Sequence, residues 1–464
     1  MRKKLMSSLI LAVMILGFVV SSCSKKGELL DSIPANVNAV AVMDVKGVLE
    51  NAGCKFTAEG LELSASLKNA DIDDDIFKVI GKLNANNASD LSDVAIVVDA
   101  KRNMAVTFLV NDVNKFKEIT EDCDWDDGEN GYEEGSADNA KLLLDDHQCW
   151  IVLAGNPYEM VKALRDEAKK EPITRLAGVT GVLESDNLFN FAMSTMTFGS
   201  TDNNVAQQET VWNVMSANVK ENKIVAESRA MKGDGEVIKV KGMQPINPAV
   251  LAYLPANFNF ALAAGLTPEF DWKAVIGAIT PMFANNFQMQ GALAMLTPFL
   301  QSLDGTVVLA AGPANDDAYD DVNPENWQFV MMAHMPQERI NQMMNMIKST
   351  LAQNGIAPKS ERDGVMTIPQ YGMDFYVGNV DGYLAIANIP FENTRNNSLA
   401  PMFVNKDAAL CIDLPSLNLL SPAAPSYGLK VDVNMQGSEG KAEISLPGAK
   451  YPVLETILAT IYGE

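Results

Sequence analysis

The chain has 464 residues, 47% of them hydrophobic and 20% charged, which is long enough for two or more domains and too apolar for a disordered chain. Its formal charge of −23 excludes nucleic acid and anionic lipid surfaces as favoured partners, because both are themselves negative.

The first predicted element is an export signal. Arg2, Lys3 and Lys4 precede an apolar run from Leu9 to Val20, the charged-then-apolar order of a secretory signal peptide over residues 1–22. A membrane-spanning helix needs about 20 apolar residues, and this run stops at Ser21, Ser22 and Cys23, followed by Ser24, Lys25 and Lys26. The stretch Val20-Ser21-Ser22-Cys23 resembles a lipobox: an aliphatic residue three before the cysteine, then two small residues. The resemblance implies cleavage before Cys23, a diacylglycerol on its sulfur and a further acyl chain on its new amine. Each buried methylene contributes about 0.8 kcal/mol and a single chain binds only marginally, so several chains anchor a protein without a transmembrane helix. Ser24 is not the aspartate that retains many such lipoproteins at the inner membrane, which implies the outer membrane. Lys25 and Lys26 stand where surface-displayed lipoproteins carry acidic residues, which implies the periplasmic face. Residues 23–30 are read as a lipidated tether. About ten residues separate Cys23 from the first strand, so at roughly 3.3 to 3.6 Å each the folded part stands within about 35 Å of the bilayer.

In the mature chain, Ile33-Pro34-Ala35-Asn36-Val37-Asn38-Ala39-Val40-Ala41 recurs as Leu254-Pro255-Ala256-Asn257-Phe258-Asn259-Phe260-Ala261-Leu262. Later segments recur in the same order, the test that separates a duplication from a chance match. Residues 93–98 pair with 305–310, 104–110 with 327–333, and 148–156 with 382–388. The hairpin Ser216 to Ala230 pairs with Lys430 to Ser445. Helical spacing marks Ile340, Met343, Met344, Ile347 and Leu351, whereas Lys223 to Ala230 and Lys441 to Leu446 alternate like half-exposed strands. The expected fold is α+β: two tandem copies, over 31–245 and 246–464, of an antiparallel sheet with helices packed on one face. Pro34 and Pro255 precede the first strand of each copy, where a missing backbone donor does no harm. The pattern resembles a family of Bacteroidetes lipoproteins with a domain of unknown function, whose members share the signal, the lipid cysteine and a Pro-Ala-Asn or Pro-Ala-Asp opening strand. That resemblance covers most of the mature chain and implies no catalytic residues.

The chemistry is sparse. Four cysteines follow Cys23: Cys54, Cys123, Cys149 and Cys411. Their spacings fit no dense disulfide framework, so buried thiols are expected, with a Cys123 to Cys149 bridge as the alternative. Asp122, Asp124, Asp126 and Glu133 fall at positions one, three, five and twelve of a calcium loop, hard oxygen ligands at a spacing that suits the ion. Position six, which needs glycine, is Asp127, and a strand signal follows where a second helix belongs, so a solvated acidic loop is the competing reading. A second acidic loop, 316–321, lies between two strands of the second copy. The two histidines, His147 and His334, have no counterparts in the other copy, and there is no HExxH spacing, CxxC pair or Gly-rich phosphate loop. With 59 acidic residues, almost any carboxylate pair can be imagined, so abundance removes the information. Of the 24 methionines, Met331, Met332, Met335, Met343, Met344 and Met346 cluster at spacings that suit core packing better than copper ligation. The apolar stretch Phe287 to Leu300 reads as a core helix or a contact surface.

The leading expectation is a non-enzymatic envelope lipoprotein, held at the membrane through Cys23, that binds or assembles an envelope protein or glycan and needs no cofactor. Two alternatives remain: a carboxylate-based hydrolase acting on envelope glycan or peptide, and a calcium-stabilised ligand-binding protein or adhesin.

Overall fold

The computed structural model describes residues 26–69, 74–137, 140–152, 156–194, 210–255, 258–272, 276, 297–313, 326–370, 372–392, 400–417 and 426–462. The export signal, Cys23, the acidic loop 316–321 and most of the stretch Phe287 to Leu300 lie outside them. Among the described residues no helix is long and apolar enough to cross a membrane. The chain is mixed helix and sheet, with extensive antiparallel pairing. It divides into two compact units, Met1–Ile238 with Ala449–Glu464, and Lys239–Gly448.

The first described element of unit 1 is a helix, Lys26–Asp31, which overlaps the segment 23–30 read as a lipidated tether. Leu29, Leu30 and Ile33 are completely buried. Burying side chains of this size contributes about 1.5 to 3 kcal/mol each, enough to offset the ordering of a short segment. The strands of unit 1 hydrogen-bond side by side in the order Lys223–Lys232, Val211–Lys220, Phe189–Ser194, Ala39–Met43, Ser89–Val98, Met104–Val110, Gln148–Val152, Ala140–Leu144, Glu133–Ala137 and Asp126–Asp127, every neighbour antiparallel. Ala39–Met43 is central and apolar throughout, as a strand covered on both faces must be. Its residues Val40 and Val42 share a core with Ala95, Val97, Ala192 and Val214 and with side chains of the helices Lys26–Asp31, Pro157–Ala168 and Ala177–Leu183. Ala41 points the other way, to a smaller cluster with Phe189 and Ala217.

The last helix, Val453–Tyr462, belongs to unit 1 and not to the second half of the chain, where the expected domain 246–464 placed it. Leu454 and Leu458 are buried, and the buried Glu455 accepts hydrogen bonds from the Ser66 amide at 3.2 Å and hydroxyl at 2.7 Å. The Val453 amide donates to Asn222 Oδ1 at 2.7 Å.

In unit 2 the order is Glu439–Ser445, Leu429–Gln436, Ala408–Leu414, Phe260–Leu266, Thr306–Pro313, Trp327–His334, Tyr383–Ala387, Met373–Val380, Val365–Gln370 and Ser360–Arg362, again antiparallel throughout. Both faces of this sheet carry apolar clusters. Ala263, Val308 and Met332 contribute to one, with Phe258 and Phe403. Their chain neighbours Ala264, Val307 and Ala333 contribute to the other, with Ile340 and Met344 of the helix Gln337–Gln353. The clustered methionines thus divide between two cores: Met332 packs in the first, Met335 and Met344 in the second.

Candidate functional site

At one end of the unit 1 sheet, strands Ser89–Val98 and Met104–Val110 are joined by a turn that one aspartate organises. Asp99 Oδ1 accepts the amides of Lys101 and Asn103, each at 2.8 Å, and its Oδ2 accepts the Asn103 side-chain amide at 2.8 Å. Arg102 takes a positive φ of 68°, which the tightness of the turn requires. Asn38 ties the opening strand to this turn, its side-chain amide donating to the Asp99 carbonyl at 2.8 Å. The preceding Ala35 amide donates to the Glu171 carbonyl at 2.9 Å, and the Ile173 amide to the Ile33 carbonyl at 2.8 Å. Across from the turn, the helix Pro157–Ala168 begins at Asn156, whose Oδ1 accepts the Tyr158 amide at 3.1 Å and the Glu159 amide at 3.3 Å.

Between these elements lies a cleft of about 220 Å³, lined by Asn36, Lys101, Asn103, Glu159, Met160 and Glu167 among others. Amides, carboxylates of the helix and one ammonium surround a floor of apolar side chains, the composition of a site that orients a ligand by a few polar contacts. Its volume is below the roughly 300 to 1,000 Å³ of a pocket that engulfs a drug-sized ligand, so it suits the end or a side group of a longer one.

Asp44 lies outside the cleft. Burial pushes the Asp44 carboxyl up to about 7, with the nearby Asp93 adding to the rise, while the hydrogen bond from the Gly47 amide and the charge of Lys26 oppose it. Asp44 and Asp93 sit beside Met43 and Val94, a residue pair at the opposite end of the strands from the cleft. His334 Nδ1 lies 2.9 Å from both the carbonyl and Oδ1 of Asp304, and its ring meets Tyr383 edge-on at 5.2 Å. A side chain at Gly305 would come within 2.6 Å of that ring, so the missing Cβ makes room for the imidazole. His147 is exposed in unit 1, its Nδ1 3.8 Å from Asp145.

The expected calcium ligands are not brought together. Asp122 lies in the turn Glu121–Cys123, Asp124 is left-handed at φ 45°, and Asp126 sits in a short strand whose partner across the ladder is Glu134. Glu133 pairs with Lys117. Trp125 holds the segment down, donating to the Thr120 carbonyl at 3.1 Å and packing edge-on against Phe116. Among the described residues no group of three or more His, Cys, Asp or Glu side chains is placed to hold a metal ion. Cys54, Cys123, Cys149 and Cys411 are buried free thiols. Burial pushes Cys123 and Cys411 up to about 12 and Cys149 well above its ordinary value.

Sequence reasoning missed the cleft. Asn36 lies in the recurring Pro-Ala-Asn segment and Asn156 ends the recurring block 148–156, but neither stands out there as a site residue. The recurrence of these blocks was the available signal.

No family model matches the chain, and no curated protein matches it. Among solved structures, the chain is similar to TP0453 in crystal forms IV and I, at a TM-score of 0.26 in each case. The identities are 8% and 10%, over 43% and 44% of this chain and 79% of the other.

Proposed function

We propose that the chain is a lipid-anchored envelope protein, built from two copies of one antiparallel-sheet module, whose unit 1 cleft binds a polar group of an envelope glycan or peptide without transforming it. The matching strand orders of the two units support the duplication: each sequence block that recurs occupies the same place in its own sheet. The outer membrane and its periplasmic face are where residues 20–26 point.

One observation carries the binding reading: the cleft sets amides, carboxylates and an ammonium around an apolar lining, on a turn braced by hydrogen bonds, while the buried Asp44 carboxyl with its raised pKa lies at the far end of the strands. A general acid must reach its substrate, and Asp44 is in the wrong place to do so. Glu159, Glu167 and Lys101 supply charges of both signs, and Asn36 and Asn103 add donors and acceptors, a set that fits amide and hydroxyl groups.

The test is a thermal-shift and calorimetric screen of the fragment from Ser24 onward against peptidoglycan fragments and envelope glycans, with calcium and EDTA as separate arms. A ligand at about 100 times its dissociation constant adds roughly 2.7 kcal/mol of stability. The expected result is a shift from a glycan or muropeptide that Asn36→Ala and Glu159→Gln both abolish. A shift that survives both substitutions removes the cleft as the site. Release of a cleaved product supports the hydrolase instead, and a calcium shift abolished by Asp124→Ala supports the calcium-stabilised protein.

A further inference from the structure

Lys26 stands three residues after Cys23, so the lipid-bearing residue lies no more than roughly 11 Å from it along the chain. Lys26 is itself part of the folded body. It is 5% exposed, its ammonium donates to the Ser185 carbonyl at 2.9 Å, and it stands 3.8 Å from the carboxylate of the equally buried Asp93. A buried ammonium is tolerable only where it is paired and hydrogen-bonded, so this contact holds the start of the chain in one place. The following Leu29 and Leu30 are sealed in the core, leaving no slack.

That place is one end of the unit 1 sheet. Asp93 precedes Val94, Val94 pairs with Met43, and Met43 pairs with Phe189; the strands Ala39–Met43 and Phe189–Ser194 end there, while Ser89–Val98 runs four residues further to Ser89. The cleft lies at the other end, beyond the Ala39 and Val98 pair, at the turn Asp99–Asn103. Six residue steps of extended strand separate Asp93 from Asp99, roughly 20 Å.

We infer that unit 1 stands end-on at the bilayer, with the Lys26 and Ser185 end against the lipid headgroups and the cleft turned away from the membrane by the length of the sheet. This rests on the lipidation of Cys23. The partner surface is lipid held by the acyl anchor and not by charge, since Glu28, Glu184 and Asp186 are exposed near that end and repel anionic headgroups.

The experiment uses the full lipidated chain in phosphatidylcholine vesicles that contain lipids spin-labelled at the headgroup. A fluorophore is placed on Asp186→Cys or on Lys101→Cys, both exposed positions. The four native thiols outside the anchor are 3% exposed or less, so the introduced thiol is the one that reacts. Quenching is expected to be several-fold stronger at position 186 than at 101. A spacer of about ten Gly and Ser residues inserted after Ser24 should erase that difference by freeing the body to tumble. Equal quenching at both positions without the spacer, or stronger quenching at 101, overturns the orientation in a protein whose intact mass shows the lipid. An intact mass without lipid overturns the anchor and the orientation together.

Discussion

Asp44 does two things that oppose each other. As the N-cap of the helix Val45–Asn51 it accepts the Gly47 amide at 2.9 Å, which favours any acceptor oxygen there. As a carboxyl group 3% exposed beside Asp93, it resists ionisation and titrates near 7. Its folded value is therefore raised above the unfolded value of about 3.9. The native state holds the proton more tightly, so this contribution to stability is full below about pH 4 and is lost as the pH rises through about 7. Asp44→Asn keeps the cap and removes the titration. Its advantage over the wild type should grow from near zero at pH 4 to on the order of 2 to 4 kcal/mol at pH 8, read as the difference in denaturant midpoints at the two values. An advantage of the same size at both would show that Asp44 titrates normally. None of this was legible in the sequence, where Asp44 is one of 59 acidic residues and burial alone distinguishes it. The candidate calcium residues show the converse. Their spacing was visible, but their positions in space depend on a ladder between Asp126–Asp127 and Glu133–Ala137 and on the anchoring of Trp125.

At the scale of elements, the helix Pro157–Ala168 forms one wall of the cleft, and its start depends on Asn156. Asn156→Ala should cost about 1 kcal/mol of stability and Asn156→Asp much less, since aspartate caps as well; equal losses in urea unfolding would show that the cap does not matter. The short helix Lys26–Asp31 is held from outside itself, and Leu30→Ala should cost about 2 to 5 kcal/mol by leaving a cavity. A loss under about 1 kcal/mol would mean that the segment is loosely attached. Such a helix is too short to show a period, which is why the sequence reads it as tether. The longer Gln337–Gln353, with Ile340 and Met344 buried at helical spacing, was legible because it carries its pattern over several turns. Gly178 shows a local demand that only contact reveals. A Cβ there would come within 2.2 Å of the Gly235 Cα, so even alanine would force two backbones apart.

At the scale of the whole molecule, the C-terminal helix closes unit 1 from the far end of the sequence. Truncation after Gly448 should destabilise unit 1 and leave unit 2 alone, because it removes the buried Leu454 and Leu458 and leaves the Ser66 hydroxyl without its carboxylate. Hydrogen exchange should quicken over 45–69 and stay unchanged over the strands 260–266 and 306–313. Faster exchange in both regions, or in neither, would contradict the assignment of this helix.

Sequence by itself determined what is written in local order: the export signal and lipid cysteine as expectations, the recurring blocks, and the strand and helix periods that repeat every two or 3.6 residues. Tertiary structure decided everything that depends on which distant residues meet. It docked the expected tether against Ser185, 159 positions away, and carried the last helix back to Ser66, 389 positions away. It also set Asn36, Asn103 and Glu159 around one cleft. The physical reason is that burial and hydrogen bonding act between neighbours in space. A periodic pattern records which face of an element is apolar, but not what that face will touch.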